Sequence, residues 1–288
     1  MRPDATVAHS MPAMFCSTEL AARVERAECR MLTAACEHVR LRLPGLLAAP
    51  IAGGIAVHTE PGSPLNKVAG LGFAPFDVAP WVAIEAAHAD RGAAMQVEIS
   101  TLGDPAVATM LSARGFRLVG VENVSARVLT AAHAAPVVRP DLTIRACGPG
   151  ELECWVETAV AGFLAADTQG VAAHESFERD VLARIVRDFA AAAGVTLFVA
   201  RFGERLAGAA AMRIDGDLVQ LSGASTLPEF RRRGVQSAFL QHRLAYAARA
   251  GCELAVVTAQ PGSKSQQNMQ RHGFQLVYAR NVLRREPG

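Results

Sequence analysis

The stretch Leu227-Pro228-Glu229-Phe230-Arg231-Arg232-Arg233-Gly234-Val235-Gln236-Ser237-Ala238 carries the densest chemical signal in the chain. Three consecutive arginines and a glycine separate a strand-like run, residues 218–225, from a helix-like run that ends near Gly251. A strand, a short basic turn and a helix N-terminus together form an anion cradle. The turn presents backbone N–H groups, and the helix end adds about half a positive charge. Gly234 lets the backbone approach its ligand closely. The predicted occupant is a pyrophosphate group.

The rest of the chain must position that turn. At 288 residues, 51% hydrophobic and 19% charged, it is long and apolar enough for one large domain or two ordinary ones. Net charge is +2, so the arginine triplet is a local feature and no nucleic-acid partner is expected. The six cysteines, Cys16, Cys29, Cys36, Cys147, Cys154 and Cys252, show no Cys-x-x-Cys spacing. They read as reduced thiols, and no metal site is expected. Residues 1–5 have no apolar core, and the longest apolar runs are too short to span a bilayer. A soluble, cytoplasmic protein without membrane attachment is the expectation.

The chain repeats itself. Arg114-Gly115-Phe116-Arg117-Leu118-Val119 is matched by His272-Gly273-Phe274-Gln275-Leu276-Val277. Each Gly-Phe follows a short helix-like run, and each of those follows a strand-like run, residues 94–99 and 253–258. A repeat of this length predicts two domains of one fold rather than a solenoid. The two prolines of residues 131–140 suit a linker. The expected boundary gives residues 1–135 and 136–288.

In the first part, Leu20, Val24, Ala27, Met31 and Leu32 recur at helical spacing. Strand is expected over residues 48–58 and 67–73, and helix over 78–88. Asp104-Pro105 reads as an N-cap with proline at the first helical position, and Gly115 as the stop. In the second part, residues 142–147 read as strand, and 151–163 and the amphipathic 177–189 as helices. Three antiparallel strands follow across Gly203-Glu204 and Asp215-Gly216-Asp217. A further strand at 253–258, a helix at 265–271 and a strand at 274–283 imply a mixed sheet. The fold class expected is α/β (mixed α+β), with two tandem units, each a mixed central sheet flanked by helices.

This order of elements, with Arg231, Gly234 and Gln236 in the slots of Gln/Arg-x-x-Gly-x-Gly/Ala, resembles the GCN5-related N-acetyltransferase (GNAT) superfamily. Gln236 departs from the usual Gly/Ala, so its side chain must point away from the phosphates. The resemblance covers residues 140–288 well and residues 15–130 in outline. In the first half Gly70-Leu71-Gly72-Phe73-Ala74-Pro75-Phe76-Asp77 occupies the matching stretch without an arginine, and reads as a bend entering a helix at Asp77. The resemblance implies a degenerate first copy and acetyl-CoA as co-substrate. It implies pyrophosphate held by Arg231, Arg232, Arg233, Gly234, Val235, Gln236 and Ser237, with pantetheine paired against Ala224, Ser225 and Thr226. Asn268 resembles the polar helix residue that touches the coenzyme or orients its thiol.

Where the family often has a tyrosine that protonates the leaving thiolate, this chain has Met269. Tyr278 is the alternative, on the strand after Gly273, while Tyr246 reads as packing. For the base, the strand before the turn offers Gln220 and Ser222 but no carboxylate. His174 and Glu175, with Asp167 nearby, lie in the segment that shapes the acceptor site in this fold. Asp215 and Asp217 read as turn residues. Cys252 begins a buried strand, which disfavours a covalent acyl-enzyme. Two function classes are compatible with this reading. One is an enzyme that moves an acetyl or short acyl group to a primary amine, of a small molecule or a peptide. The other is a non-catalytic acyl-CoA sensor.

Overall fold

The computed structural model describes residues 13–135, 139–165, 171 and 176–287. The elements run α1 (Thr18–Val39), β1 (Leu47–Ile51), β2 (Gly54–His58), β3 (Lys67–Leu71), α2 (Val78–Ala89), β4 (Met95–Ser100), α3 (Pro105–Ala113) and β5 (Arg117–Val128). They continue with β6 (Thr143–Ala146), α4 (Leu152–Leu164), α5 (Arg179–Ala190), β7 (Val195–Phe202), β8 (Arg205–Asp215), β9 (Leu218–Thr226), α6 (Val235–Arg249), β10 (Leu254–Ala259), α7 (Lys264–Arg271) and β11 (Gln275–Arg285). The fold is mixed α+β, and the order β-β-β-α-β-α-β occurs twice, as β1 to β5 and as β7 to β11.

Local chemistry accounts for most boundaries. Ser17, Asp77, Asp104 and Ser263 each cap a helix by accepting a backbone N–H into the side chain. Gly115 and Gly273 lie just past α3 and α7 at φ 84° and 76°, where a side chain would strain the stop. The stretch 48–58 is a hairpin, not one strand. Ala52 and Gly53, at φ 45° and 78°, turn the chain between β1 and β2.

All eleven strands form one sheet, in the order β1-β2-β3-β4-β11-β5-β10-β9-β8-β7-β6. The final strand of each half has crossed to the other half. β4 pairs with β11 and β10 pairs with β5, while β5 and β11 lie antiparallel at the centre. The mixed sheets of the two halves are therefore continuous. α1, α4 and α5 cover one face, and α2, α3, α6 and α7 cover the other. Among the described residues no helix is long and apolar enough to cross a membrane.

Candidate functional site

Strand register builds the site. β9 and β10 are parallel neighbours, but they pair only at Leu218↔Leu254, Val219↔Ala255 and Gln220↔Val256. Beyond Gln220, residues 221–226 of β9 have no partner in β10, and Leu221, Ser222, Ser225 and Thr226 stay paired with β8. A bulge between the Ala209 and Ala211 pairings, with Gly223 at φ 57°, bends β9 away. The result is a splay between two parallel strands, with unpaired backbone along its β9 edge. Arg243 of α6 props the bulge. Its Nη1 donates to the carbonyls of Ala211 at 2.8 Å and Ser222 at 3.1 Å, and burial pulls its guanidinium down to about 10.

The arginine turn lies at the mouth of this splay. Residues 228–230 form a single 3-10 turn, Arg232 and Gly234 take φ 60° and 81°, and Gly234 serves as the N-cap of α6 without a side-chain cap. Among the described residues, no acceptor receives the backbone N–H of any residue from Arg232 to Ser237. Six consecutive free donors around positive-φ residues make a concave anion nest at a helix N-terminus.

The arginine side chains do other work. Arg231 turns inward and donates to Ala165 O at 2.6 Å and Gly162 O at 3.4 Å, tying the turn to the last carbonyls of α4. Arg233 lies 3.9 Å over the Phe202 ring, which stacks on Phe230. Arg139 donates to Arg233 O at 2.9 Å. The cradle is thus backbone, held in shape by arginines. Arg231→Ala is expected to cost about 1–2 kcal/mol of stability, the scale of a lost charge-assisted hydrogen bond. It should weaken acyl-CoA binding less than tenfold, and urea unfolding with calorimetry measures both.

The other candidates distribute as follows. Gln236 turns away from the nest and donates to Thr226 Oγ1 at 3.0 Å. Ser237 donates to Asn268 Oδ1 at 3.3 Å, so the first turn of α6 and the middle of α7 meet. Ala224 packs on the α6 side, Val235 is buried beneath the nest, and Ser225 reaches Thr158 O of α4 at 3.5 Å. Met269 is buried in the core beside Phe274, and Tyr246 meets Phe198 edge-on. Asp215 and Asp217 hold the β8–β9 turn against Arg30 and Arg23 of α1. Cys252 is buried, and burial pushes its thiol up. His174, Glu175 and Asp167 lie outside the described residues.

Tyr278 requires a correction. Its phenol does not face the splay: it is buried between α1 and β11 and donates to Glu25 Oε1 at 2.6 Å. Burial and the adjacent carboxylate both push its pKa up. A phenol so placed holds a buried carboxylate, and it is no proton donor for a leaving thiolate at the splay.

Glu25 belongs to a charge cluster that sequence reasoning missed. Arg280 Nε lies 2.8 Å from Glu25 Oε1, and Lys67 Nζ lies 3.2 Å from Glu28 and 3.0 Å from Glu98. Gln220 of β9 joins it by donating to Glu28 Oε2 at 3.3 Å. Burial alone would raise the Glu28 carboxyl, but Lys67 and Arg280 outweigh it and hold it below the usual range. Lys67 and Arg280 are in turn raised against burial by their carboxylates. A signal existed: Glu25 and Glu28 sit among Ala21, Val24, Ala27 and Leu32 on the apolar face of α1. Charges on such a face must find buried partners.

The first half contrasts with this arrangement. β3 and β4 stay paired to the end of β3, across Leu71↔Ile99, and Asp104 N–H closes the next step on Gly72 O at 2.8 Å. The helix after β3 is capped by Asp77, a carboxylate where α6 has a glycine. A cavity of about 180 Å³ lies beside Gly72 and Asp104, and one of about 310 Å³ lies beside Asp77 and the β1–β2 turn.

Residues 159–274 match the model of the acetyltransferase (GNAT) family. No curated protein matches the chain. Among solved structures, a GCN5-related N-acetyltransferase from Kribbella flavida is similar over 96% of this chain and 97% of its own, at 19% identity and a TM-score of 0.64. One from Sphaerobacter thermophilus is similar over 94% of each chain, at 15% identity and a TM-score of 0.57. A tandem GNAT protein from the clavulanic acid biosynthesis pathway covers 81% of this chain and 74% of its own, at 12% identity and a TM-score of 0.55. The matched span contains the splay, the nest and both helices that meet at Asn268, so the similarity to the acetyltransferase (GNAT) family model rests on residues 159–274.

Proposed function

We propose that the protein transfers an acetyl or short acyl group from acyl-CoA to a primary amine, by direct attack in a ternary complex. The observation that carries this reading is the row of six free backbone donors at the mouth of a splayed parallel strand pair. The nest from Arg232 to Ser237 fits a pyrophosphate, which needs several convergent donors at low entropic cost. The open β9 edge at Ala224, Ser225 and Thr226 fits the amide-bearing pantetheine arm, and a backbone N–H there polarises the thioester carbonyl. Asn268 and Ser237 stand where the two helix ends converge on the arm.

The first half is a copy without a coenzyme site, because its strand pair is closed and its helix carries a carboxylate cap. It serves as a wall of the acceptor cleft. Calorimetry with acetyl-CoA is expected to give one site per chain, with thiol release on addition of an amine panel. Two sites per chain would refute the asymmetry. One site without turnover on any amine would favour the sensor reading.

A further inference from the structure

The buried charge cluster reaches the lip of the splay. β10 ends at Ala259, which is paired with Asn123 of β5. Glu122 is therefore the first β5 residue past the end of β10. By strand alternation it shares the face of Val124 and Ala126, which pack in the cluster with α1. β9 lies on the far side of β10 from β5: there Gln220 closes the β9–β10 pairing at Val256, and Ser222 follows on the same face. The cluster around Glu122 holds three further carboxylates, Glu25, Glu28 and Glu98, and two cations, Lys67 and Arg280. Glu25, Glu28 and Glu98 are each within ion-pair distance of a cation. The Glu122 carboxylate makes no hydrogen bond or close ion pair with any described residue, although Lys67 and Arg280 are near enough to act on it, and it is half-buried where the other three are buried.

A second, independent observation comes from β9. Gln220 is 7% exposed, and its Oε1 is buried without a donor, as is Ser222 Oγ. Two buried acceptor oxygens on β9 and a carboxylate without an ion pair on β5 are what an ammonium group, with three N–H donors, would satisfy.

We propose that Glu122, supplied by the first half of the chain, takes the ammonium proton of the acceptor, while Gln220 and Ser222 hold the amine from β9. The inference rests on the acyl-transfer reading and specifies its acceptor as a primary amine that arrives as a cation. The proton passes from R–NH3⁺ to the Glu122 carboxylate and then to water. The neutral amine attacks the thioester carbonyl, the C–N bond forms, and the C–S bond breaks. The second amine proton leaves with the thiolate, which departs as CoA-SH. The groups facing Glu122 are Glu98 of β4, Lys67 of β3, Arg280 of β11 and Glu28 of α1. Burial first and Glu98 second outweigh the two cations and push the Glu122 carboxyl up to about 7. A base with that pKa is both ionised and able to accept a proton near neutral pH.

The test uses the full chain with acetyl-CoA and three amine probes: spermidine, tyramine and lysine. The parent's kcat/KM should rise with unit slope up to about pH 7. In Glu122→Gln, kcat at pH 7.5 should fall about 100-fold or more, the scale of general-base catalysis. The limb near pH 7 should vanish, while the Kd for acetyl-CoA stays within twofold. Carbon-13 NMR of glutamate-labelled parent gives a readout independent of any variant. One carboxyl should titrate near pH 7 and shift on adding spermidine. A folded Glu122→Gln that keeps the parent's kcat and pH limb overturns the proposal, as does the absence of any carboxyl titrating between pH 6 and 8. A parent that binds acetyl-CoA but acylates none of the probes overturns the acyl-transfer reading, and this proposal with it.

Discussion

Gly234→Asp is expected to abolish acyl-CoA binding while leaving a folded protein. Gly234 sits at φ 81° at the N-cap of α6, in the middle of the six free backbone donors. A left-handed backbone at a non-glycine residue costs roughly 1–2 kcal/mol, and aspartate is among the residues that adopt it. A Cβ there would come 2.6 Å from Arg139 Nη1, the far end of a partly exposed side chain that must shift and give up its bond to Arg233 O. Folding therefore survives. Binding does not, because the new carboxylate accepts the N–H groups meant for phosphate and repels the anion itself. A loss of at least 100-fold, about 2.8 kcal/mol at 1.4 kcal/mol per decade, is expected. Gly234→Ala, which adds bulk and strain but no charge, should fall between Gly234→Asp and the parent. Calorimetry with acetyl-CoA, with folding followed by circular dichroism, makes the comparison. If folded Gly234→Asp binds acetyl-CoA like the parent, the turn is not a phosphate cradle.

The second large effect lies away from the coenzyme. Lys67→Met removes the cation that sits between Glu28 and Glu98 and leaves both carboxylates facing each other in a buried site. Breaking one side of a fully isolated buried ion pair costs about 3–5 kcal/mol; here Arg280, 3.9 Å from Glu28 and 4.0 Å from Glu98, still compensates in part, so the loss should fall at the lower end of that range. The loss should depend on pH in a defined direction. Without Lys67, Arg280 alone opposes burial at Glu28, so the folded-state Glu28 carboxyl rises relative to the parent. The folded variant then binds protons that the folded parent releases, so its stability relative to the parent falls as pH rises. The deficit relative to the parent should be larger at pH 8 than at pH 5.5 in urea unfolding. Lys67→Met combined with Glu98→Gln should recover part of it, and the double-mutant cycle isolates the pair. A loss under about 1 kcal/mol that does not change with pH would mean that the cluster is hydrated and contributes little.

Much of the fold was legible because its causes are local. Asp77, Asp104 and Ser263 mark helix starts through one side-chain hydrogen bond each. Gly115 and Gly273 mark stops through one backbone angle. The turn at Asp215-Gly216-Asp217 joins two strands adjacent in sequence. The nest at Arg232 to Ser237 was legible for the same reason: strand, turn and helix are contiguous, and the donors belong to the backbone.

What tertiary structure decided is everything that joins residues distant in sequence. No local pattern in Arg117–Val128 or Gln275–Arg285 says that each strand crosses to the other half. Strand partners are chosen by packing and register over the whole sheet. Arg231 reads from sequence as a phosphate ligand, yet the carbonyls at the end of α4 claim its guanidinium. Tyr278 reads as the alternative acid on a half-buried strand, yet α1 brings Glu25 across 253 positions to bury its phenol. The charge cluster has the same origin. Glu25, Glu28, Lys67, Glu98, Glu122 and Arg280 come from five elements, and their pKa values exist only once the sheet has closed, because burial and neighbouring charge are properties of the folded chain.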